Sequence, residues 1–338
     1  GETVRGFDSD PESLGRAAEH SGLTPSSTLE GCVAGATVVF VCTPIPALSG
    51  LVAEVLGLAP DAIVTDVGSV KSQVMADVAA RADPSHLERY IGGHPMGGSE
   101  RSGPDHASAS ILDGAVWVLC PSYPVPAASF ARLSAWVDKV GARPTPMDAE
   151  RHDRLVAMVS HLPQVASTAL MGLAAAEEAG EPEILLLAAG GFRDLTRLAA
   201  SSPHLWSDIL LANGDAIVRA VDLYIERLTR LRTLIGQREA GEVERAFGDA
   251  KQARLSLAAK PQVKAGVAVL QVPVPDRPGV LAEVTATMSE AGVNIEDLQI
   301  VHSPEGGRGT VHLTVASGAA EDAELALRER WFEPLRLA

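Results

Sequence analysis

The chain has 338 residues, 46% of them apolar, with 28 basic and 43 acidic side chains and a formal net charge of −15. That length allows two or three domains of roughly 100–200 residues each, and the apolar share excludes a wholly disordered chain. The acidic balance argues against nucleic acid and anionic membrane as partners, because the long-range field repels polyanions. A small anionic substrate is still allowed where a local arginine governs its own pocket.

Cys32, Cys42 and Cys120 form neither a C-x-x-C pair nor an even framework, which fits a reducing cytoplasm. No bilayer-length apolar run and no signal-peptide pattern is read from the sequence, so no membrane partner is expected.

Up to residue 147, short apolar runs alternate with helical patterns. Thr3–Phe7, Val38–Cys42, Ala62–Thr65, Ala115–Cys120 and Arg143–Pro146 read as strands, several of them buried on both faces. Pro11–Ser21, Pro46–Leu56 and Lys71–Ala82 read as crossover helices, and the alternation predicts a doubly wound α/β domain with a parallel sheet. From about Ala149 the strand signals vanish, and Leu155, Val159, Leu162, Val165 and Ala169 recur at helical spacing. Val221, Tyr224, Leu228, Leu231 and Ile235 step by three and four, a coiled-coil-like seam that packs either between subunits or within the chain. The helical pattern runs to about Ala259, and Ala258–Gly266 reads as a linker. Beyond it, a strand (Val267–Val274), a helix (Val280–Glu290), two strands (Asn294–His302 and Thr310–Ala316, around the Gly-rich turn Glu305–Gly309) and a helix (Glu321–Arg330) follow. With the last residues as a fourth strand, this is the ferredoxin-like plan. The predicted domains are residues 1–147, 148–259 and 266–338.

Several stretches can carry chemistry. Asp8 ends the first run, where an acidic residue of a dinucleotide fold bonds the adenosine ribose, although an Asp after a strand also serves as a turn or cap residue. The G-x-G-x-x-G loop expected about twenty residues earlier does not precede it. The expectation is therefore a Rossmann-like sheet whose first strand and glycine loop are missing from the chain as given. Ser69 falls beyond the carboxyl end of a strand, where open α/β sheets bind ligands, and with Thr43, Pro44, Asp66 and Gly68 is a candidate cofactor contact. Ser69 can equally be a simple helix cap. His94 sits in Gly92-Gly93-His94-Pro95-Met96-Gly97-Gly98-Ser99-Glu100, a glycine-rich stretch after a short strand (Tyr90–Gly92) whose backbone can approach a ligand and whose histidine can work as acid or base. Pro163, in Val159-Ser160-His161-Leu162-Pro163-Gln164, would cost about 3 kcal/mol inside a helix and signals a break, while Ser160 and Gln164 share a face. Gly190-Gly191-Phe192-Arg193-Asp194-Leu195-Thr196-Arg197 offers arginine forks for a carboxylate, or merely a solvated helix face. The nine histidines show no metal-ligand spacing, and no metal is expected.

In this order the motifs T-D-V-G-S-V-K (65–71), G-G-H-P-M-G-G-S-E (92–100), V-S-H-L-P (159–163) and G-G-F-R-D-L-T-R (190–197), followed by S-S-P-H-L-W-S-D-I (201–209), resemble the prephenate/arogenate dehydrogenase family of tyrosine biosynthesis over residues 1–255. D-R-P-G-V-L (276–281) and G-V-N-I (292–295) resemble an ACT domain, a regulatory module that commonly binds amino acids. The resemblance implies NAD-dependent oxidative decarboxylation of a cyclohexadienol by a cytoplasmic homodimer. His94 would be the base for the ring hydroxyl, and Ser69 would orient it. Arg197 would clamp a substrate carboxylate, Ser160 and Glu100 would line or gate the pocket, and Asp194 would support the arginine turn. Gln164 stands where many prephenate-using members carry a second histidine, and would reach the substrate side chain, a keto group in prephenate and an ammonium in arogenate. Asp276, Pro278, Gly279, Val280, Leu281, Asn294 and Ile295 would hold an amino-acid effector such as tyrosine. A β-hydroxyacid dehydrogenase would need a catalytic lysine in the helical domain, and none lies between Arg151 and Gln237. The alternative is a non-catalytic amino-acid-sensing protein with an inert, truncated Rossmann part.

Overall fold

A computed structural model describes residues 3–97, 103–122, 124–178, 180–181, 183–259, 267–275, 277–302 and 308–337. Its contacts divide into two compact units, Gly1–Val243 and Glu244–Ala338.

The first unit opens with β1 (Arg5–Gly6), α1 (Pro11–Ser21) and β2 (Thr24–Pro25). Asp10 caps α1 by accepting from the amides of Glu12 and Ser13, Pro11 starts it, and Gly22 at φ 69° ends it, so both predicted boundaries hold. Next come α2 (Leu29–Val33), β3 (Val38–Val41), α3 (Ile45–Leu58), β4 (Ile63–Asp66), α4 (Ser72–Arg81), β5 (Tyr90–Pro95), β6 (Val116–Cys120), α5 (Ala127–Lys139) and β7 (Arg143–Pro146). β1 and β2 form a parallel pair of their own, and the main sheet has five strands in the order β3-β4-β5-β6-β7.

The sheet is parallel except between β5 and β6, which run antiparallel, a correction to the all-parallel expectation. Among the described residues, the chain between them carries only short 3-10 turns and no crossover helix to return it to the starting edge. Leu48, Val52 and Leu56 of α3 and Val74 and Val78 of α4 pack on one face of the sheet. Leu133 and Val137 of α5 pack on Ile63, Ile91, Trp117 and Leu119 on the other. Burial on both faces is why these strands read as continuous apolar runs.

α6 (Ala149–Val156) continues through a π-helical turn (Ala157–His161) into α7 (Leu162–Glu178). The Leu162 amide donates five residues back, to the Ala157 carbonyl. The widened turn sits just before Pro163, whose ring would clash with a regular preceding turn and which has no N–H to donate. Contrary to the expectation of no bilayer-length segment, this 30-residue stretch reaches spanning length, with a mean hydropathy of 1.2 in its most apolar window. Its buried His152, Asp153, His161 and Gln164 bond within the protein, as in a core helix.

α8 (Glu183–Leu186), α9 (Gly190–Thr196), α10 (Pro203–Ala212) and α11 (Gly214–Gly236) complete the unit. Ile217 and Ala220 of α11 pack on Ala157. The seam further along α11 has no full cover among the described residues: Tyr224 is 40% exposed, Leu228 47% and Ile235 62%.

α12 (Ala240–Ala259) leads into the second unit, and most of the expected linker lies outside the described residues, as do residues 305–307 of the expected Gly-rich turn. β8 (Val267–Pro275), α13 (Val280–Glu290), β9 (Ile295–His302), β10 (Arg308–Ala316), α14 (Ala320–Glu329) and β11 (Leu335–Leu337) follow. The strands pair antiparallel in the order β11-β8-β10-β9, the predicted ferredoxin-like sheet with the last residues as its fourth strand. Leu270, Val272, Val284, Met288, Leu313 and Leu327 form its core.

Candidate active site

The site is organised by a buried carboxylate at the end of β4. Asp66 accepts from the Gly68 amide (2.8 Å), the Tyr90 hydroxyl (2.7 Å), the Gly93 amide (3.3 Å) and the Lys71 ammonium. Asp66 and Lys71 are both fully buried. Burial first, and then the Asp66 charge, push the Tyr90 phenol well above its usual value, so it remains a donor. Asp66 is therefore no direct cofactor contact, which corrects the expectation. It ties the loop bearing Ser69 to β5, which bears His94.

β5 also runs longer than predicted, so His94 lies within a strand, opposite Val118 of β6. A Cβ on Gly93 would stand 2.4 Å from the Asp66 carbonyl oxygen, so only glycine lets β5 approach β4 this closely. Gly93, expected to help admit a ligand, serves strand packing instead.

His94 Nδ1 lies 2.8 Å from His152 Nε2, with the rings crossing at 78°. His152 Nδ1 lies 2.8 Å from Asp153 Oδ1. The Asp153 carboxylate also accepts from the amides of Lys71 (2.9 Å) and Ser72 (2.8 Å), capping α4 from α6. Burial works to raise the Asp153 carboxyl, but the bonds from His152, Lys71 and Ser72 hold it below its usual range. Burial, reinforced by His152, Lys71 and His161 and opposed by Asp153, lowers His94 to about 3. Burial, opposed by Asp153, lowers His161 to about 4. Asn213 Nδ2 bridges the Asp153 carbonyl (2.9 Å) and His161 Nδ1 (3.2 Å), and His161 meets the Trp206 ring edge-on.

His94, Ser69, Ser160, His161, Met96 and Trp206 share the walls of a cleft of about 270 Å³. The three motifs carrying Ser69, His94 and Ser160 thus meet as expected. Gln164 does not line the cleft: it is buried and donates to the Leu198 carbonyl (2.8 Å). Its i,i+4 spacing from Ser160 puts it on that side of the helix, but the Leu198 carbonyl takes its side-chain amide instead of the cleft. Arg197 and Asp194 are exposed and stand outside the cleft lining, and Glu100 lies outside the described residues.

The cofactor candidates other than Asp66 fit a dinucleotide. Asp8 is exposed at the end of β1, one carboxylate oxygen accepting from the Asp10 amide. Thr43 Oγ1 is buried without a partner among the described residues, just before α3. Pro44 leaves the first amides of α3 without a side-chain cap. Gly68 packs against Leu48, 2.9 Å from where a Cβ would stand. Thr43, Pro44, Gly68 and Ser69 follow the carboxyl ends of β3 and β4, the edge at which open α/β sheets bind ligands.

In the second unit Gly279 caps α13 at φ 89°, and Pro278 is exposed and Leu281 partly so. Val280 is core and Ile295 is packed against it, so neither is a surface for an effector, and the Asn294 amide is bonded to Glu296. Asp276 lies outside the described residues.

Sequence reasoning missed His152, Asp153, His161, Lys71 and Trp206. An adjacent His-Asp pair on a helix is the only local signal for the first two, since His94 lies 58 residues away from His152.

Both lowered histidines have a consequence for acid stability. Their folded values, about 3 and about 4, lie below the ordinary 6.5, so the unfolded chain binds more protons in between. Their contribution is fully present above 6.5 and is lost as the pH falls towards the folded values. Urea unfolding should show a lower midpoint at about pH 5 than at about pH 7.5, with an unchanged slope. An equal midpoint would mean the two imidazoles are not buried neutral.

A family model described as "Prephenate dehydrogenase, nucleotide-binding domain" matches residues 1–145, and one described as "Prephenate dehydrogenase, dimerization domain" matches 148–249. The prephenate dehydrogenase of Bacillus subtilis (strain 168) is 33% identical over 295 residues, 86% of this chain and 78% of that protein. The chain belongs to the prephenate dehydrogenase family. An ACT domain model matches residues 268–330. The cyclohexadienyl dehydrogenase of Zymomonas mobilis is 34% identical over 232 residues, 68% of this chain and 78% of that one. The crystal structure of the Aquifex aeolicus prephenate dehydrogenase with hydroxyphenyl propionate and NAD+ superposes with a TM-score of 0.70 at 26% identity, covering 76% of this chain and 90% of that one. Membership of the prephenate dehydrogenase family sets aside the non-catalytic sensor.

Proposed function

We propose that the protein catalyses the NAD-dependent oxidative decarboxylation of prephenate to 4-hydroxyphenylpyruvate in tyrosine biosynthesis, in the cytoplasm. The observation that carries this reading is the His94 imidazole in a cleft shared with Ser69, Ser160 and His161. The substrate's hydroxyl-bearing ring carbon must lose a hydride while the opposite ring carbon loses its carboxylate. His94 draws the hydroxyl proton, the O–H pair becomes the new carbon–oxygen π bond, and the C–H pair departs as hydride. NAD, when bound, supplies the acceptor for that hydride. As carbon dioxide leaves, its bonding pair stays in the ring, and the phenol oxygen takes the proton back. The whole reaction releases no proton, so the base returns what it takes up.

Arg197 starts a 3-10 turn held from α7, where Gln164 bonds the Leu198 carbonyl and Ser167 Oγ accepts from the Ala199 amide. On this reading its exposed guanidinium clamps a substrate carboxylate, with Asp194 nearby in sequence. Arg197→Gln should raise KM roughly tenfold or more with kcat less affected, and Arg197→Lys should recover it only in part, lacking the bidentate fork. An unchanged KM in both variants returns Arg197 to a solvated surface.

The exposed α11 seam supports a homodimer, its apolar stripe covered by a second copy of the chain. The ACT unit supports an amino-acid effector such as tyrosine, and residues 1–147, 148–259 and 266–338 remain the proposed domains. The functional test is NADH formation with prephenate and arogenate in parallel. Turnover of prephenate is expected; turnover of arogenate alone would move the substrate assignment, and turnover of neither would overturn the reading.

A further inference from the structure

Three side chains stand in line behind the cleft, and their protonation can be worked out from one end. Asp153 is 5% exposed and accepts two backbone amides besides its contact with His152, which keeps it ionised and an acceptor only. His152 Nδ1, at 2.8 Å from Asp153 Oδ1, must therefore carry a hydrogen, since two lone pairs would otherwise face each other. With Nδ1 carrying the single ring hydrogen, His152 has a bare Nε2. That nitrogen lies 2.8 Å from His94 Nδ1, so His94 Nδ1 carries the next hydrogen. A neutral His94 is left with a bare Nε2 on the side away from His152, and His94 lines the cleft.

We infer that Asp153 and His152 are positioning residues that fix the tautomer of His94, turning its Nε2 lone pair to the substrate hydroxyl. This rests on the dehydrogenase reading for its substrate and deepens it. When the hydroxyl O–H bond breaks, the N–H bond forms at Nε2. The new positive charge strengthens the Nδ1–H bond to His152, which Asp153 backs. No proton leaves the three residues, and the one received returns to the phenol oxygen when the ring aromatises. The arrangement has the logic of a carboxylate–histidine pair, extended by a second imidazole. The same Asp153 carboxylate caps α4, so the loop bearing Ser69 and the tautomer of His94 share one anchor.

The tautomer is directly readable. In full-length protein carrying 15N-labelled histidine, the His94 signals, assigned by their loss in His94→Asn, should show a protonated Nδ1 and a bare Nε2. Asp153→Asn presents an amide N–H to His152 and should reverse both tautomers, lowering kcat by roughly 10²–10⁴, the range for loss of general-base function, whose upper end is reached when a triad carboxylate becomes an amide. KM should stay within about threefold, because the altered group makes no substrate contact. His152→Phe leaves the Asp153 bonds to α4 in place, and should lower kcat comparably even if Asp153→Asn folds poorly. A protonated His94 Nε2 in the wild type, as a doubly protonated His152 would give, overturns the inference; so does wild-type kcat in a folded His152→Phe. The tautomer is read without turnover, so a wild type that oxidises neither substrate overturns the functional reading and leaves this measurement standing.

Discussion

His94→Asn is expected to lower kcat by roughly 10²–10⁴, the usual scale for loss of a general base, with little change in NAD affinity. The asparagine amide can hydrogen-bond the substrate hydroxyl, but it cannot take up the proton while hydride leaves. The backbone at this position is held by pairing with Val118, and Asp66 bonds the Gly93 amide, so the substitution should leave the strand where it is. The residues suited to the dinucleotide, Asp8, Thr43, Pro44 and Gly68, do not depend on the imidazole, which is why the loss should fall on turnover. Steady-state NADH formation and direct NAD titration of the same variant separate the two quantities. Near-native turnover would remove His94 from the chemistry, and an equal loss of NAD affinity would place the damage in the strand.

The α/β alternation, the helical texture after Ala149 and the ferredoxin-like tail were legible because each rests on local periodicity. α1 and α13 were bounded correctly, α1 because its cap, proline and glycine are all local signals. The antiparallel β5–β6 pair was not legible, since direction depends on how residues 96–115 turn back and no side-chain pattern encodes that. That Ser69, His94 and Ser160 share one cleft was legible because each sits in a short conspicuous motif. Gln164 was misplaced because i,i+4 spacing shows only a shared helix side, not that the distant Leu198 carbonyl takes up the Gln164 amide. Asp66 was misread as a ligand contact because a sequence shows an acid at a strand end but not the lysine, tyrosine and amides that saturate it. His152 and Asp153 are invisible as a pair with His94 until the fold closes 58 residues between the imidazoles.

Lys71→Met should cost about 3–5 kcal/mol of stability, because it leaves the Asp66 charge buried without its counter-ion. Tyr90 and the Gly68 and Gly93 amides would still bond the carboxylate, so the loss reflects charge rather than a missing hydrogen bond. Asp66→Asn should cost a similar amount for the opposite reason, stranding an ammonium that has no access to water. The double variant, Asp66→Asn with Lys71→Met, removes both charges, and a buried pair replaced whole is often close to neutral. It should therefore recover much of the loss, and the double-mutant cycle from denaturant unfolding measures the coupling. Single variants that each cost less than about 1 kcal/mol would show that the pair is not charged in the fold. Activity supplies the second reading. Asp66 holds both the Ser69 loop and the Gly93 amide beside His94, so the double variant should fold yet turn over more slowly, the cleft having lost the anchor that sets its two sides in register.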